Sequence, residues 1–198
     1  WQRVAGQPDS IDYTVPLRGG PPEVGFDYFF GIAASLDIPP YVYIENDRVT
    51  RVPDHYSENT SDMGWWRRGP TSPGFKHKEV LPTLTGKALA FIEKMATEKS
   101  DQPFFLYFAL PAPHTPILPV PQFQGSSETN PYGDFVLQVD WTVGEILNIL
   151  DEYQLSQHTL LIFTSDNGCS PEADFECLSR FGHDPSAGFR GAKADIYE

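Results

Sequence analysis

The sequence predicts an α/β fold, part of a three-layer sandwich in which a mostly parallel central sheet is flanked by helices. Three observations predict it. Residues 103–110 and 159–163 are continuous apolar runs without alternation, the pattern of strands covered on both faces. Between them, Phe135, Val136, Val139, Val143, Ile146, Leu147 and Leu150 recur at three- and four-residue steps, which marks residues 132–153 as a helix with one apolar face. An earlier helix is marked from Thr83, where Leu84, Ala88, Phe91, Ile92 and Met95 share a face and Lys94 and Lys99 lie toward an end near Ser100 and Asp101. The order helix, strand, helix, strand predicts a right-handed crossover between parallel strands.

In chain order, residues from Trp1 carry no helix or strand signal until residues 24–31 and 36–46, where short strands and turns are expected. Asp37 lies in a loop that could face a ligand, and its plainer reading is a turn carboxylate. Residues 47–80 are polar and broken by Pro53, Gly64, Gly69, Pro70, Pro73 and Gly74, which predicts a long irregular excursion. Its notable features are Trp65-Trp66-Arg67-Arg68 and Lys76-His77-Lys78. They form either an aromatic and basic wall for a ligand or a solvent-facing loop anchored in the core by one tryptophan. Asn59-Thr60-Ser61 fits an N-glycosylation acceptor, which matters only in a eukaryotic secretory setting. After Gly168 the chain reads as loop through Gly188.

The chemistry-bearing residues sit where the two apolar runs end. The second run stops at Asp166-Asn167-Gly168, a carboxylate and a carboxamide whose hard oxygens suit calcium or magnesium, with a glycine that permits a sharp turn. An ordinary Asp-Asn-Gly turn is the alternative. The first run stops at a loop stiffened by Pro111, Pro113 and Pro116 that carries His114. Parallel strands share a carboxyl edge, and ligands gather at that edge. His114 and the Asp166-Asn167 pair are therefore expected to open on the same side.

Composition narrows the class. A chain of 198 residues with 40% hydrophobic residues can bury one substantial core. No run of eighteen apolar residues occurs, so no membrane insertion is expected, and no targeting segment is visible. A net charge of -13 argues against nucleic acid and anionic membrane as partners, while leaving room for a small anion in a locally basic pocket. The two cysteines, Cys169 and Cys177, are too few for a disulfide framework and show no zinc-finger spacing. Nineteen prolines and sixteen glycines predict several long connections.

Phe105-Leu106-Tyr107-Phe108-Ala109 followed by Pro113-His114-Thr115-Pro116, then Thr164-Ser165-Asp166-Asn167-Gly168, then Arg190-Gly191-Ala192-Lys193, resembles the formylglycine-dependent type I sulfatases of the alkaline phosphatase superfamily. The order and spacing of three separate motifs make the resemblance specific, and its details are most similar to sulfatases of sulfated glycans, the N-acetylgalactosamine-6-sulfatase and arylsulfatase A types. It spans the chain, from just after the family's lysine-histidine segment to just before its Glu-Gly-Gly continuation. Residues 1–198 would then be the central part of a catalytic domain, with the amino-terminal nucleophile segment and a carboxy-terminal subdomain lying elsewhere.

The resemblance implies a metal-dependent hydrolysis of sulfate monoesters on carbohydrate. Asp166 and Asn167 would bind Ca2+, or Mg2+, with two further aspartates from upstream. His114 would contact the sulfate or protonate the departing sugar oxygen, and Lys193 would contact both groups as a point charge. His183 and Arg190 would line the sugar pocket, and the aromatic and basic wall would face a sulfated sugar. The implied partners are that sugar and the rest of the sulfatase polypeptide, and the implied location is periplasmic, secreted or lysosomal. The nucleophile would be a formylglycine upstream. Cys169-Ser170-Pro171-Glu172-Ala173 matches the first three positions of the Cys-x-Pro-x-Arg signature but has alanine for arginine, so Cys169 reads as a loop thiol or a partner for Cys177. The isolated chain is accordingly expected to be inactive. The alternatives are a phosphoester or phosphonate hydrolase of the same superfamily and a non-catalytic protein that binds sulfated glycan.

Overall fold

The computed structural model describes residues 1–4, 7–99 and 101–196. Two long helices form its centre. The first, α1, spans Val80–Glu98, three residues earlier than Thr83. Pro82 falls in the first turn, where no intrahelical bond needs its missing N–H. The predicted end at Ser100 lies outside the described residues. The second, α2, spans Pro131–Glu152, within a residue of the prediction at each end. Asn130 caps it by accepting a hydrogen bond from the Gly133 N–H at 3.1 Å, and Pro131 supplies the preset first turn.

The two helices pack directly on each other. Leu81 of α1 clusters with Phe135 and Val139 of α2, and Ala88 and Ile92 cluster with Ile146 and Leu150. At the crossing, Thr85 and Thr142 return their hydroxyls to the carbonyls of Leu81 and Gln138, which satisfies two buried polar groups inside the apolar contact. Part of the predicted stripe on α2 is not core: Val136 and Leu147 are exposed, and the buried arc is completed instead by Gln138 and Thr142.

Residues 104–110 lie along these helices. Phe104, Leu106 and Phe108 pack against the helical core while Phe105 and Tyr107, 75% and 74% exposed, face out. Such alternation is the mark of an extended chain with one face covered. Residues 160–163 are exposed throughout, from Leu161 at 39% to Leu160 at 85%. Both segments were expected as strands buried on both faces in a mostly parallel sheet. Among the described residues neither belongs to a hydrogen-bonded ladder. A ladder needs neighbouring N–H and C=O groups on each side, and no described segment supplies them here.

The ladders that do form are short and antiparallel. β1 (Gln2–Val4) pairs with β2 (Gln7–Asp12), a hairpin that the sequence does not signal. β3 (Phe30–Ile32) and β4 (Tyr43–Glu45) form in the short-strand region expected there, and β5 (Arg48–Val49) adds a third strand from the stretch expected to be irregular. Residues 47–80, expected to be irregular, contain a second hairpin, β6 (His55–Asn59) with β7 (Trp66–Thr71). Its turn is closed by the Asn59 carboxamide, which donates to Ser61 Oγ at 2.9 Å and to the Gly64 carbonyl at 2.8 Å. That bonding also ties the nitrogen of the candidate glycosylation residue into the turn. Tyr41, 1% exposed, joins the two regions through a parallel bridge to Thr71 and a hydroxyl that donates to the Arg67 carbonyl at 2.6 Å.

Candidate active site

The site grows from the end of the first extended segment. Leu110 and Ala112 pack against the Leu81–Phe135 cluster, and Ile117 is 4% exposed with its N–H bonded to the Met63 carbonyl at 2.8 Å. The four residues between Ala112 and Ile117 are therefore pinned at both ends. Within it His114 Nδ1 lies 2.6 Å from the Thr115 carbonyl. A carbonyl only accepts, so Nδ1 carries the proton and Nε2 is left for chemistry. The side chain is 40% exposed, enough to meet a ligand.

A carboxylate stands behind the ring. Asp37, with a side chain 8% exposed, places Oδ1 4.0 Å from His114 Nδ1 and Oδ2 3.7 Å from Arg67 Nη2, and Oδ1 accepts from Ser35 Oγ at 2.5 Å. The backbone holds it there, since the Arg67 N–H donates to the Asp37 carbonyl at 3.2 Å. Arg67 in turn lies 6.0 Å over the Trp65 ring. The predicted aromatic and basic wall is thus divided. Trp65 and Arg67 reach this site, whereas Trp66 stacks on His77 at 3.8 Å and Arg68 sits over Tyr56 at 4.6 Å. His77 is 6% exposed among Trp66, Tyr41 and Phe75, and burial pushes its pKa down to about 4, so it is a neutral core residue.

The loop after the second segment carries Asp166 and Asn167, both exposed. The Asn167 amide nitrogen donates to the Gly168 carbonyl at 2.9 Å, and among the described residues its side-chain oxygen and the Asp166 carboxylate stand as two hard donors. Among the described residues no three His, Cys, Asp or Glu side chains gather as a metal-binding group. The donor type fits calcium or magnesium, and the number falls short of the six to eight oxygens that calcium takes. Lys193 comes to this turn through its backbone: its N–H donates to the Cys169 carbonyl at 2.9 Å, and a Cβ on Gly168 would lie 3.6 Å from the Lys193 nitrogen. His183, just beyond α3 (Phe175–Arg180), and Arg190 are both exposed, and His183 stands beside Asp184.

Glu172 links this loop to the histidine. Its Oε2 accepts from Trp65 Nε1 at 2.9 Å and from Thr115 Oγ1 at 3.2 Å. Cys169 and Cys177 are both free thiols. Burial raises the Cys169 pKa despite a hydrogen bond from Tyr132, the opposite of what activates a thiol.

The sulfatase family model matches residues 13–195. This chain belongs to the sulfatase family. An N-acetylgalactosamine-6-O-sulfatase of Bacteroides thetaiotaomicron is 33% identical over 239 aligned positions, covering 100% of this chain and 45% of that protein. The dog N-acetylgalactosamine-6-sulfatase is 40% identical over 74% of this chain and 27% of its own length. Human steryl-sulfatase is 39% identical over 62% of this chain and 20% of its own length. A solved structure from work on the metabolism of multiple glycosaminoglycans by Bacteroides thetaiotaomicron superposes with a TM-score of 0.76 at 31% identity, covering 95% of this chain and 46% of that one. The likeness places the chain in the α/β class of that sulfatase. The chain spans less than half the length of each of these relatives.

Proposed function

We propose that residues 1–198 form the central part of a sulfatase catalytic domain and contribute one side of a site that hydrolyses sulfate monoesters on carbohydrate, of the N-acetylgalactosamine-6-sulfate class. The observation that carries this reading is the family match over residues 13–195 combined with 33% identity to an N-acetylgalactosamine-6-O-sulfatase along the whole chain. Supporting it locally, Thr115 and Lys193 are both bonded to the loop that follows Asp166 and Asn167.

The roles follow from chemistry. Asp166 and Asn167 would hold a calcium or magnesium ion, which neutralises negative charge on the transferring group. Lys193 adds a compact positive charge beside that position. His114, with Nδ1–H fixed by the Thr115 carbonyl, presents Nε2, which in the imidazolium form donates a proton to the departing sugar oxygen. Arg190 and His183 are assigned to the sugar pocket. The nucleophile is assigned to a formylglycine outside this sequence, because Ala173 stands where the signature requires arginine and partial burial raises the Cys169 pKa, the opposite of thiol activation. The intact protein is assigned to the periplasm, the secretory route or the lysosome. No helix among the described residues is long and apolar enough to cross a membrane.

Sulfate release by the intact polypeptide from 6-sulfated N-acetylgalactosamine, compared with phosphate release from an aryl phosphate, tests the reading. Preferred turnover of the sulfate ester is expected. Preferred turnover of the phosphate, or tight binding of the sulfated sugar without turnover, contradicts it.

A further inference from the structure

We propose that Glu172 is a positioning residue for His114, acting as a single carboxylate latch that joins three distant parts of the chain. The inference rests on the sulfatase reading, and in particular on His114 being the leaving-group acid. Oε2 of Glu172 receives Trp65 Nε1 at 2.9 Å and Thr115 Oγ1 at 3.2 Å, from partners 107 and 57 residues away. Thr115 is 6% exposed and its carbonyl fixes the tautomer of His114. Trp65 carries Arg67 over its ring, Arg67 pairs with Asp37, and Asp37 returns to His114 Nδ1. The contacts therefore close into a ring: Glu172, Trp65, Arg67, Asp37, His114, Thr115 and back to Glu172. Opening it at Glu172 releases the Thr115 hydroxyl and the Trp65 indole at once.

The latch is anchored on its own side. Ala173, the next residue, is 1% exposed, and its carbonyl accepts from the buried Asn130 side chain at 2.8 Å. Pro171 begins a short 3-10 turn whose Ser170 side chain accepts from the Glu172 N–H at 3.3 Å. Glu172 thus extends from a fixed base at the start of α2, within six residues of Asp166 and Asn167 in sequence. Its position sets the distance between the histidine loop and the oxygen-donor turn. A carboxylate near an anionic substrate opposes binding through its charge, so its value here is as an acceptor that fixes geometry.

Charge and hydrogen-bond acceptance at Glu172 are separable by substitution. Glutamine keeps one oxygen that can accept from both Trp65 and Thr115, while alanine keeps none. In the intact polypeptide, Glu172→Ala is expected to lower kcat about tenfold with little change in KM, and Glu172→Gln to recover at least half of the parent kcat with KM unchanged or lower. Hydrogen exchange should quicken in the segments 63–67 and 114–118 of Glu172→Ala and stay at the parent level in α1 and α2. Thr115→Val combined with Glu172→Ala should cost no more than the larger single change, because both open one ring. The proposal is overturned if Glu172→Ala keeps kcat within twofold while His114→Ala abolishes turnover, or if exchange quickens throughout the chain. If His114→Ala itself leaves kcat unchanged, the sulfatase mechanism fails, and that result is distinct from failure of the latch.

Discussion

At the scale of single residues, the two histidines of interest are set apart by what surrounds them. His77 stacks on Trp66 and is enclosed by Tyr41 and Phe75, and its pKa falls to about 4 from 6.5. The folded state then binds fewer protons than the unfolded state between those values, so stability is full above pH 6.5 and is lost as pH falls toward 4. Allowing for partial solvent screening, the loss is on the order of 2 kcal/mol. Replacing His77 with phenylalanine should therefore flatten the fall in urea midpoint between pH 7 and pH 4.5 relative to the parent; an unchanged slope would show that the imidazole is not held neutral. His114 is exposed and bonded at Nδ1, which leaves Nε2 for the proposed proton transfer. For Arg190 and His183, assigned to the sugar, substitution by alanine should raise KM severalfold on glycan and leave kcat within about threefold. An aryl sulfate should barely register either change, and an equal loss on both substrates would move these residues to the reacting centre. His114, Asp166 and Asn167 stand out in the sequence because they follow apolar runs, whereas Lys193 is marked only by the resemblance of residues 190–193 to a family motif. Asp37 is visible only as a loop carboxylate without a partner and Glu172 carries no signal, since turn carboxylates have no periodicity and their partners lie up to 107 residues away.

At the scale of elements, the helices were legible and the pairing of strands was not. A helix closes its hydrogen bonds within itself, so α2 is predicted from its own stripe and cap. A strand depends on a neighbour, so the apolar runs at 103–110 and 159–163 show their composition without showing what they pair with. The β6–β7 hairpin was hidden for the opposite reason. Its residues are polar, and it is held by Tyr41 and by a close approach that only glycine allows. A Cβ on Gly69 would lie 2.0 Å from Pro39 Cβ. Gly69→Ala should push β7 away from residues 37–41, loosen Arg67 from Asp37 and destabilise the chain by about 2–4 kcal/mol. Thermal or urea unfolding measures it. A loss below about 0.5 kcal/mol would mean that the hairpin shifts freely and does not hold Asp37.

At the scale of the whole molecule, the described residues expose Phe105, Tyr107, Leu160, Ile162 and Phe163 along the two segments that should be central strands. Apolar edges of this kind associate. The 198-residue chain alone is expected to self-associate in sedimentation and to release no sulfate from an aryl sulfate, because the proposed site lacks a nucleophile and a full set of metal oxygens. Turnover by this chain alone would contradict that division of the site. The central claim is that His114 and Lys193 act on the transferring group and leaving oxygen beside the Asp166-Asn167 turn. Groups whose contacts strengthen as charge develops lower kcat when removed, whereas uniform binding changes KM. The direct measurement is steady-state kinetics of His114→Ala and Lys193→Ala in the intact polypeptide on a sulfated glycan. Each should lose kcat by roughly a hundredfold or more; kcat within about twofold of the parent for both would make them structural and contradict the assignment.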